Sequence, residues 1–108
     1  MAEVDKWTID KPDSSNWMAW KFQMRHFLLS KGLWGLVDGS EVLRENPTPQ
    51  QEAEFRKRSQ RALSNLVMSI SSSLIYLITT FEDPKAAWDA VKGHFEQNSV
   101  VNKLMLKK

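Results

Sequence analysis

The segment from Asn16 to Gly39 is long enough for a helix and carries large apolar side chains on more than one side. Its sequence, NWMAWKFQMRHFLLSKGLWGLVDG, contains three of the five tryptophans of the chain and no proline. At about 100° per residue, a helix gathers one broad stripe: Trp17, Trp20, Met24, Phe27 and Leu28. A second, narrow stripe falls on roughly the opposite side: Met18, Phe22 and Leu29. A core helix needs only one apolar face, so the narrow stripe needs a second partner.

Two interpretations of the narrow stripe remain open. In the first, the N-terminal arm or the last helix covers it within the chain. In the second, the stripe packs against another subunit. The broad stripe is predicted to lie in the core under both interpretations.

Composition limits the classes of protein that this chain can represent. With 108 residues and 42% hydrophobic content, it is predicted to form one domain. The net charge of +2 is too small to indicate nucleic-acid binding, and the lack of cysteine excludes disulfides and thiolate sites. No apolar run approaches the roughly 20 residues of a membrane span, and MAEVDKWTID does not resemble a signal peptide. We therefore expect a soluble, non-secreted protein that does not act at a membrane.

The chain is predicted to begin with an extended arm over residues 1–13, followed by a helical domain over residues 14–108. Trp7 and Ile9 of the arm can dock on the domain, or the arm can be a frayed terminus. The end, NKLMLKK, stops inside a predicted helix, which suggests a fragment of a longer chain.

Capping residues and glycines define the first part of the helical domain. Ser14, Ser15 or Asn16 can cap the first helix, and Lys31-Gly32 ends it. A short apolar turn is predicted over residues 33–37, then a tight turn at Asp38-Gly39 and a loop over residues 40–49.

A long amphipathic helix is predicted next, from about Gln50 to Ser69, with Thr48 as its cap and Pro49 at its first position. Six apolar side chains share one face of it: Phe55, Ala62, Leu63, Leu66, Val67 and Ile70.

The last third of the chain is predicted to add three shorter helices. A buried helix is expected from Leu74 to Thr79, capped by one of the serines at 71–73, although its Ile, Tyr and Thr content also suits a strand. Asp83-Pro84 begins the next helix, which contains Gly93, and VVNKLMLKK forms the last. The predicted fold is therefore all-α, an irregular bundle of about five helices. Its predicted core is Trp17, Trp20, Met24, Phe27, Leu28, Trp34, Leu63, Leu66, Ile70, Trp88, Val91 and Phe95.

The sequence offers no catalytic constellation. His26 and His94 lie far apart and in no metal-binding pattern, and the glycines lack the spacing of a phosphate-binding loop. Both histidines are interpreted as helix-surface or boundary residues. The carboxylates Glu82, Asp83 and Asp89 are interpreted as charges that favour a helix start. We expect no enzyme, no metal and no cofactor.

The basic run Arg56-Lys57-Arg58, together with Arg61, has two interpretations. It can bind nucleic acid, or it can be a solvated helix face balanced by the acidic residues one turn upstream. No aromatic residues alternate with these charges as stacking platforms for bases.

Two segments of the chain resemble the Gag polyprotein of copia-type LTR retrotransposons. The pattern W-x-x-x-M-x-x-x-L followed by G-L-W falls on Trp20, Met24, Leu28, Gly32, Leu33 and Trp34. A later pattern matches Ala86 or Ala87, then Trp88, Asp89, Phe95, Glu96, Ser99, Lys103 and Leu104. The resemblance extends from about Ile9 to the end. The family's CCHC zinc knuckle does not appear, so RNA binding through that element is not carried over.

This resemblance implies a capsid N-terminal domain, a compact helical bundle like that of retroviral capsids. Such domains form rings of five or six copies that tile a shell around the element's RNA. Virus-like particles of this kind are expected in the cytoplasm, with the nucleus as the other location. The RNA is expected to contact downstream regions. The same domain also survives in host genes derived from retrotransposons.

Ring formation needs heterologous contacts, in which one patch meets a different patch. The second patch is expected near Arg58 and Arg61 or on the loop at 40–49. The candidate self-association residues are Met18, Phe22, Arg25, Leu29, Arg58 and Arg61. Two alternative functions stay open: a host-adopted helical module that binds a partner peptide, and a basic domain that binds nucleic acid.

Overall fold

A computed structural model describes residues 10–97 of the chain. Within that range the chain forms helices and no strands, which confirms the all-α prediction. The elements are α1 (Trp17–Ser30), α2 (Trp34–Asp38), α3 (Pro49–Ser69), a 3₁₀ helix (Ser72–Leu77) and α4 (Pro84–Gln97). Most of the predicted arm, with Trp7 and Ile9, and the predicted last helix lie outside the described residues.

The start of α1 is organised by a carboxylate upstream of the predicted caps. Asn16 occupies the N-cap position, but its side chain does not cap the helix. Instead, the Asp13 carboxylate accepts hydrogen bonds from the backbone N–H groups of Ser15 (2.8 Å) and Asn16 (3.0 Å). The helix ends at Ser30 with Lys31 as its C-cap, and Gly32 follows with a φ of +72°, at the predicted Lys31-Gly32 stop.

The apolar segment predicted as a turn forms the five-residue helix α2 instead. Leu33, Leu36 and Val37 are buried, and their spacing of three and four residues is that of one helical face. Burying these three side chains together favours a helical conformation over a non-helical turn. Gly39, at a φ of +89°, closes the helix in the left-handed conformation.

Helix α3 begins at Pro49 after the predicted cap Thr48 and ends at Ser69, as predicted. Thr48 and Gln51 form a capping box, in which each side chain accepts a hydrogen bond from the other residue's backbone N–H (3.0 and 2.9 Å). Ala62, Leu66 and Ile70 are buried at four-residue spacing.

A helix forms at the segment predicted for 74–79, capped by one of the predicted serines, Ser71, but the prediction that this helix is buried is wrong. The chain forms a 3₁₀ helix that begins after Ser71 and contains no buried residue. Tyr76 is 65% exposed, whereas Ile78, directly after the helix, is buried. A 3₁₀ helix repeats every three residues, so it cannot turn all of its neighbouring apolar side chains inward.

Helix α4 begins at Pro84 as predicted. The preceding Asp83 accepts a hydrogen bond at its carboxylate from the Lys85 backbone N–H (3.3 Å). The helix packs against α2 and α3 and contacts α1 through aromatic rings. The ring of Trp17 stacks on that of Phe95, with centroids 4.8 Å apart, and Trp20 stacks on Trp88 at 6.0 Å.

These contacts place the core against the broad apolar stripe of α1, which we call the inner face. Most of the predicted core residues are buried: Trp17, Trp20, Met24, Leu28, Leu66, Ile70, Trp88, Val91 and Phe95. Three others are half-buried and pack against this core: Phe27, Trp34 and Leu63. The core also contains residues outside the predicted set: Leu33, Leu36, Val37, Ala62, Ile78 and Ala87.

Candidate self-association surface

Helix α1 presents an apolar face to solvent. Met18 is 69% exposed, Phe22 62% and Leu29 44%, and we call these three residues the outer stripe. Their positions lie within about 40° of each other around the helix, on the side away from the core. The ring of Phe22 contacts the imidazole of His26, one turn later, at 4.6 Å between centroids. The three exposed side chains therefore share one face of α1, with the imidazole of His26 beside Phe22.

All charged side chains of α1 are basic. The charged residues of the helix are Lys21 and Arg25, and it contains no Asp or Glu. The guanidinium of Arg25 lies 5.8 Å from the ring centroid of Trp34 and forms no ion pair with residues 10–97. Arg25 therefore lies beside the outer stripe without a direct ion pair; the pKa of Asp38 is lowered mainly by hydrogen bonds from Ser40 and, to a smaller extent, by the charge of Arg25.

Lys21 forms an ion pair that marks the boundary between the two faces of α1. Its ammonium lies 2.6 Å from Glu96, whose carboxylate also accepts a hydrogen bond from the Trp17 indole (3.2 Å). Partial burial raises the pKa of Glu96, but the hydrogen bonds from Lys21 and Trp17 outweigh it and leave the pKa lowered. This contact connects α1 to the last turns of α4.

Arg58 joins three parts of the molecule. Its guanidinium forms an ion pair with Glu41 (3.0 Å for one Nη2–Oε1 contact) and donates a hydrogen bond to the Gly32 carbonyl. The hydrogen bond from Arg58 lowers the pKa of Glu41 against the opposing effect of partial burial. The predicted association residue Arg58 thus positions the 40–49 loop and the end of α1. Arg61 is exposed and forms no ion pair with the described residues.

An apolar groove runs between the 40–49 loop, the first half of α3 and the start of α4. Its volume is about 320 Å³, and Leu43, Phe55 and Pro84 supply its apolar lining. The polar lining residues are Glu52, Arg56, Ser59, Glu82 and Asp83. We call this the loop groove. The sequence pointed to the 40–49 loop, but Phe55 was assigned to an inward face and Pro84 only to a helix start.

Within the described residues, no helix is long and apolar enough to cross a membrane, and no cluster of side chains could hold a metal ion. His26 is exposed beside Phe22, whereas His94 is half-buried with its ring edge-on to Phe95 at 4.9 Å. The two histidines lie in the second halves of different helices, α1 and α4.

A family model described as "gag-polypeptide of LTR copia-type" matches residues 24–108. The chain belongs to this Gag family. The match covers α2, α3, the 3₁₀ helix and α4, together with the second half of α1, and it confirms the resemblance drawn from the sequence. Searches of curated proteins and of solved structures gave no significant match. Membership assigns the chain a Gag-type structural role, which agrees with the expectation that it is not an enzyme. Met18 and Phe22 lie upstream of the matched residues.

Proposed function

We propose that this Gag domain is a capsid domain that self-associates into five- or six-membered rings of a virus-like particle. The shell encloses the RNA of a copia-type element in the cytoplasm. The outer stripe carries this proposal, because three large apolar side chains share one exposed helix face. Contact with another copy removes that apolar surface from water, which favours association.

Each contact between domains is expected to be weak. The outer stripe is a single helix face and much smaller than the interfaces of permanent dimers. A shell tolerates weak contacts, because each domain is held by several neighbours at once and the effective concentration within the assembly is high.

The charges of α3 do not favour RNA binding as the main role of this domain. Arg56 pairs with Glu52 at 3.1 Å, and Arg58 pairs with Glu41. Two of the four cations in the basic run are therefore already balanced by carboxylates. Binding to phosphates depends on free cations that replace counterions. We assign contact with RNA to regions of Gag outside residues 10–97.

Two measurements over a wide range of protein concentrations test the proposal: light scattering coupled to size-exclusion chromatography, and negative-stain imaging. The wild-type protein is expected to grow into rings or closed particles. Phe22→Asp is expected to give a folded monomer, since it places a charge at the centre of the outer stripe. Gln23→Asp is the matched control, because it adds the same charge to an exposed neighbouring position and should assemble like wild type.

Two outcomes would overturn the proposal. One is a wild-type protein that stays monomeric at every concentration, which would favour a partner-binding module. The other is a Phe22→Asp variant that loses its helical melting transition, since that would show that the stripe is buried within the chain.

A further inference from the structure

The charge of α1 argues against pairing of two outer stripes. An isologous contact would bring α1 against α1, and each helix carries Lys21 and Arg25 with no carboxylate of its own. Lys21 forms an ion pair with Glu96, whereas Arg25 forms no ion pair within the described residues and interacts with the Asp38 carboxylate only beyond ion-pair distance. Like charges brought together at an interface are costly. The outer stripe therefore fits a surface that is apolar at its centre and acidic at its edge.

The loop groove has these properties. Leu43, Phe55 and Pro84 form an apolar lining, and the volume of about 320 Å³ can accept an aromatic or aliphatic side chain. Three carboxylates, those of Glu52, Glu82 and Asp83, and one guanidinium, that of Arg56, lie around this lining. The carboxylate of Glu82 forms no hydrogen bond or ion pair with the described residues.

The two surfaces are built from different parts of the chain. The outer stripe lies on α1, whereas the loop groove is formed by the 40–49 loop, α3 and the start of α4, and no residue belongs to both. One copy can therefore use its stripe and its groove at the same time. A contact of this head-to-tail kind generates a ring when its rotation closes.

We infer that the outer stripe of one copy docks into the loop groove of a second copy, with Arg25 beside the acidic edge formed by Glu82 and Asp83. This inference rests on the proposed self-association and names the surface that receives the stripe. It assigns Glu41 and Arg58 an indirect role, because their ion pair holds the loop that carries Leu43.

A complementation experiment tests this pairing. Phe22→Asp damages the stripe and leaves the groove intact, whereas Leu43→Asp damages the groove and leaves the stripe intact. Each variant alone is expected to remain monomeric at concentrations where wild type assembles, with a dissociation constant raised at least about tenfold. An equal mixture is expected to form heterodimers, in which the intact stripe of Leu43→Asp docks into the intact groove of Phe22→Asp. These heterodimers should not grow further, because the remaining stripe and the remaining groove are both damaged. Sedimentation velocity measures both results.

A charge exchange provides a second test that changes charged side chains at exposed positions and leaves the apolar residues of the stripe and the groove in place. Arg25→Glu and Glu82→Arg should each weaken assembly, and mixing the two should restore pairwise contact. Both positions are exposed, so folding should not change, and circular dichroism checks this. Lys57→Glu, at an exposed position of α3 outside the groove lining, is the matched control and should assemble like wild type.

Site-specific cross-linking captures the contact when it is weak, and the absence of cysteine makes the chain well suited to it. A short bis-maleimide should join Arg25→Cys to Glu82→Cys in a mixture, and should not join Gln23→Cys to Glu82→Cys. Two results would overturn this inference and leave the proposed function in place. One is that Leu43→Asp assembles as well as wild type. The other is that cross-links form only between two copies of Arg25→Cys. A wild type that stays monomeric at every concentration would overturn both the proposed function and this inference.

Discussion

The inner and outer faces of α1 carry similar side chains in opposite surroundings. Trp17, Trp20, Met24 and Leu28 on the inner face are buried, whereas Met18, Phe22 and Leu29 on the outer face are exposed. Both faces hold large apolar groups at helical spacing, so apolarity alone does not decide which face is buried. The difference arises because α2 and α4 pack against only one side of α1.

The largest expected effect is that of shortening an inner side chain. Trp20→Ala should lower the free energy of unfolding by roughly 3–5 kcal/mol, because it leaves a cavity beside the rings of Trp17 and Trp88. The Trp20 indole N–H has no hydrogen-bond partner among the described groups, so the loss would be one of packing. Urea unfolding followed by circular dichroism measures it. A loss below about 1 kcal/mol would contradict the inner-face assignment.

The second prediction concerns the attachment of the end of α1 to α3. Arg58→Gln removes the ion pair with Glu41 and the charged hydrogen bond to the Gly32 carbonyl. Allowing for partial exposure, the cost in unfolding free energy should be about 1–2 kcal/mol. Lys57→Gln, an adjacent exposed position without an ion pair among residues 10–97, should cost less than about 0.5 kcal/mol. Equal costs for the two variants would show that the Arg58 contacts contribute nothing.

The third prediction concerns the boundary between the faces and its response to pH. Lys21→Gln should cost about 0.5–1 kcal/mol at neutral pH, since it breaks the partly exposed pair with Glu96. The pKa of Glu96 is lowered from 4.5 in the folded protein, so its contribution is full above pH 4.5 and is lost as the pH falls through the lowered pKa. The stability difference between wild type and variant should therefore shrink on acidification below pH 4.5. Thermal melts from pH 7 to pH 3 measure this, and a difference that grows with acid would contradict it.

The smallest expected effect is that of shortening an outer side chain. Phe22→Ala, measured at a concentration where the protein is monomeric, should change the free energy of unfolding by no more than about 0.5 kcal/mol, because its main contact is the exposed ring of His26. Phe95→Ala makes the same substitution at a buried ring and should cost roughly 3–5 kcal/mol. Similar losses for the two variants would remove the distinction between the faces.

Much of the fold could be predicted because its boundaries depend on local signals. The capping box of Thr48, the proline at the start of α4 and the glycine after α1 each act within one helical turn. The type of the two shortest helices could not be predicted. Segments of five or six residues are too short for a helical repeat to distinguish a turn, an α-helix and a 3₁₀ helix.

The candidate site was only partly visible in the sequence. The outer stripe followed from helical spacing alone, and so did its separation from the inner face. The loop groove did not, because Leu43, Phe55 and Pro84 come from three separate segments that meet only in the folded chain. Arg58 was predicted as an association residue, yet its guanidinium reaches Glu41, which lies 17 residues earlier in the sequence.

The sequence by itself determined that this chain forms helices, where its longer helices begin and end, and that α1 has two apolar faces. Those properties depend on backbone preferences and on spacing within one segment. Only the tertiary structure decided that the narrow apolar face of α1 stays exposed among the described residues, how the apolar segment after α1 folds, and where a groove forms. Burial and ion pairing depend on neighbours distant in sequence, and those neighbours are defined only when the helices pack.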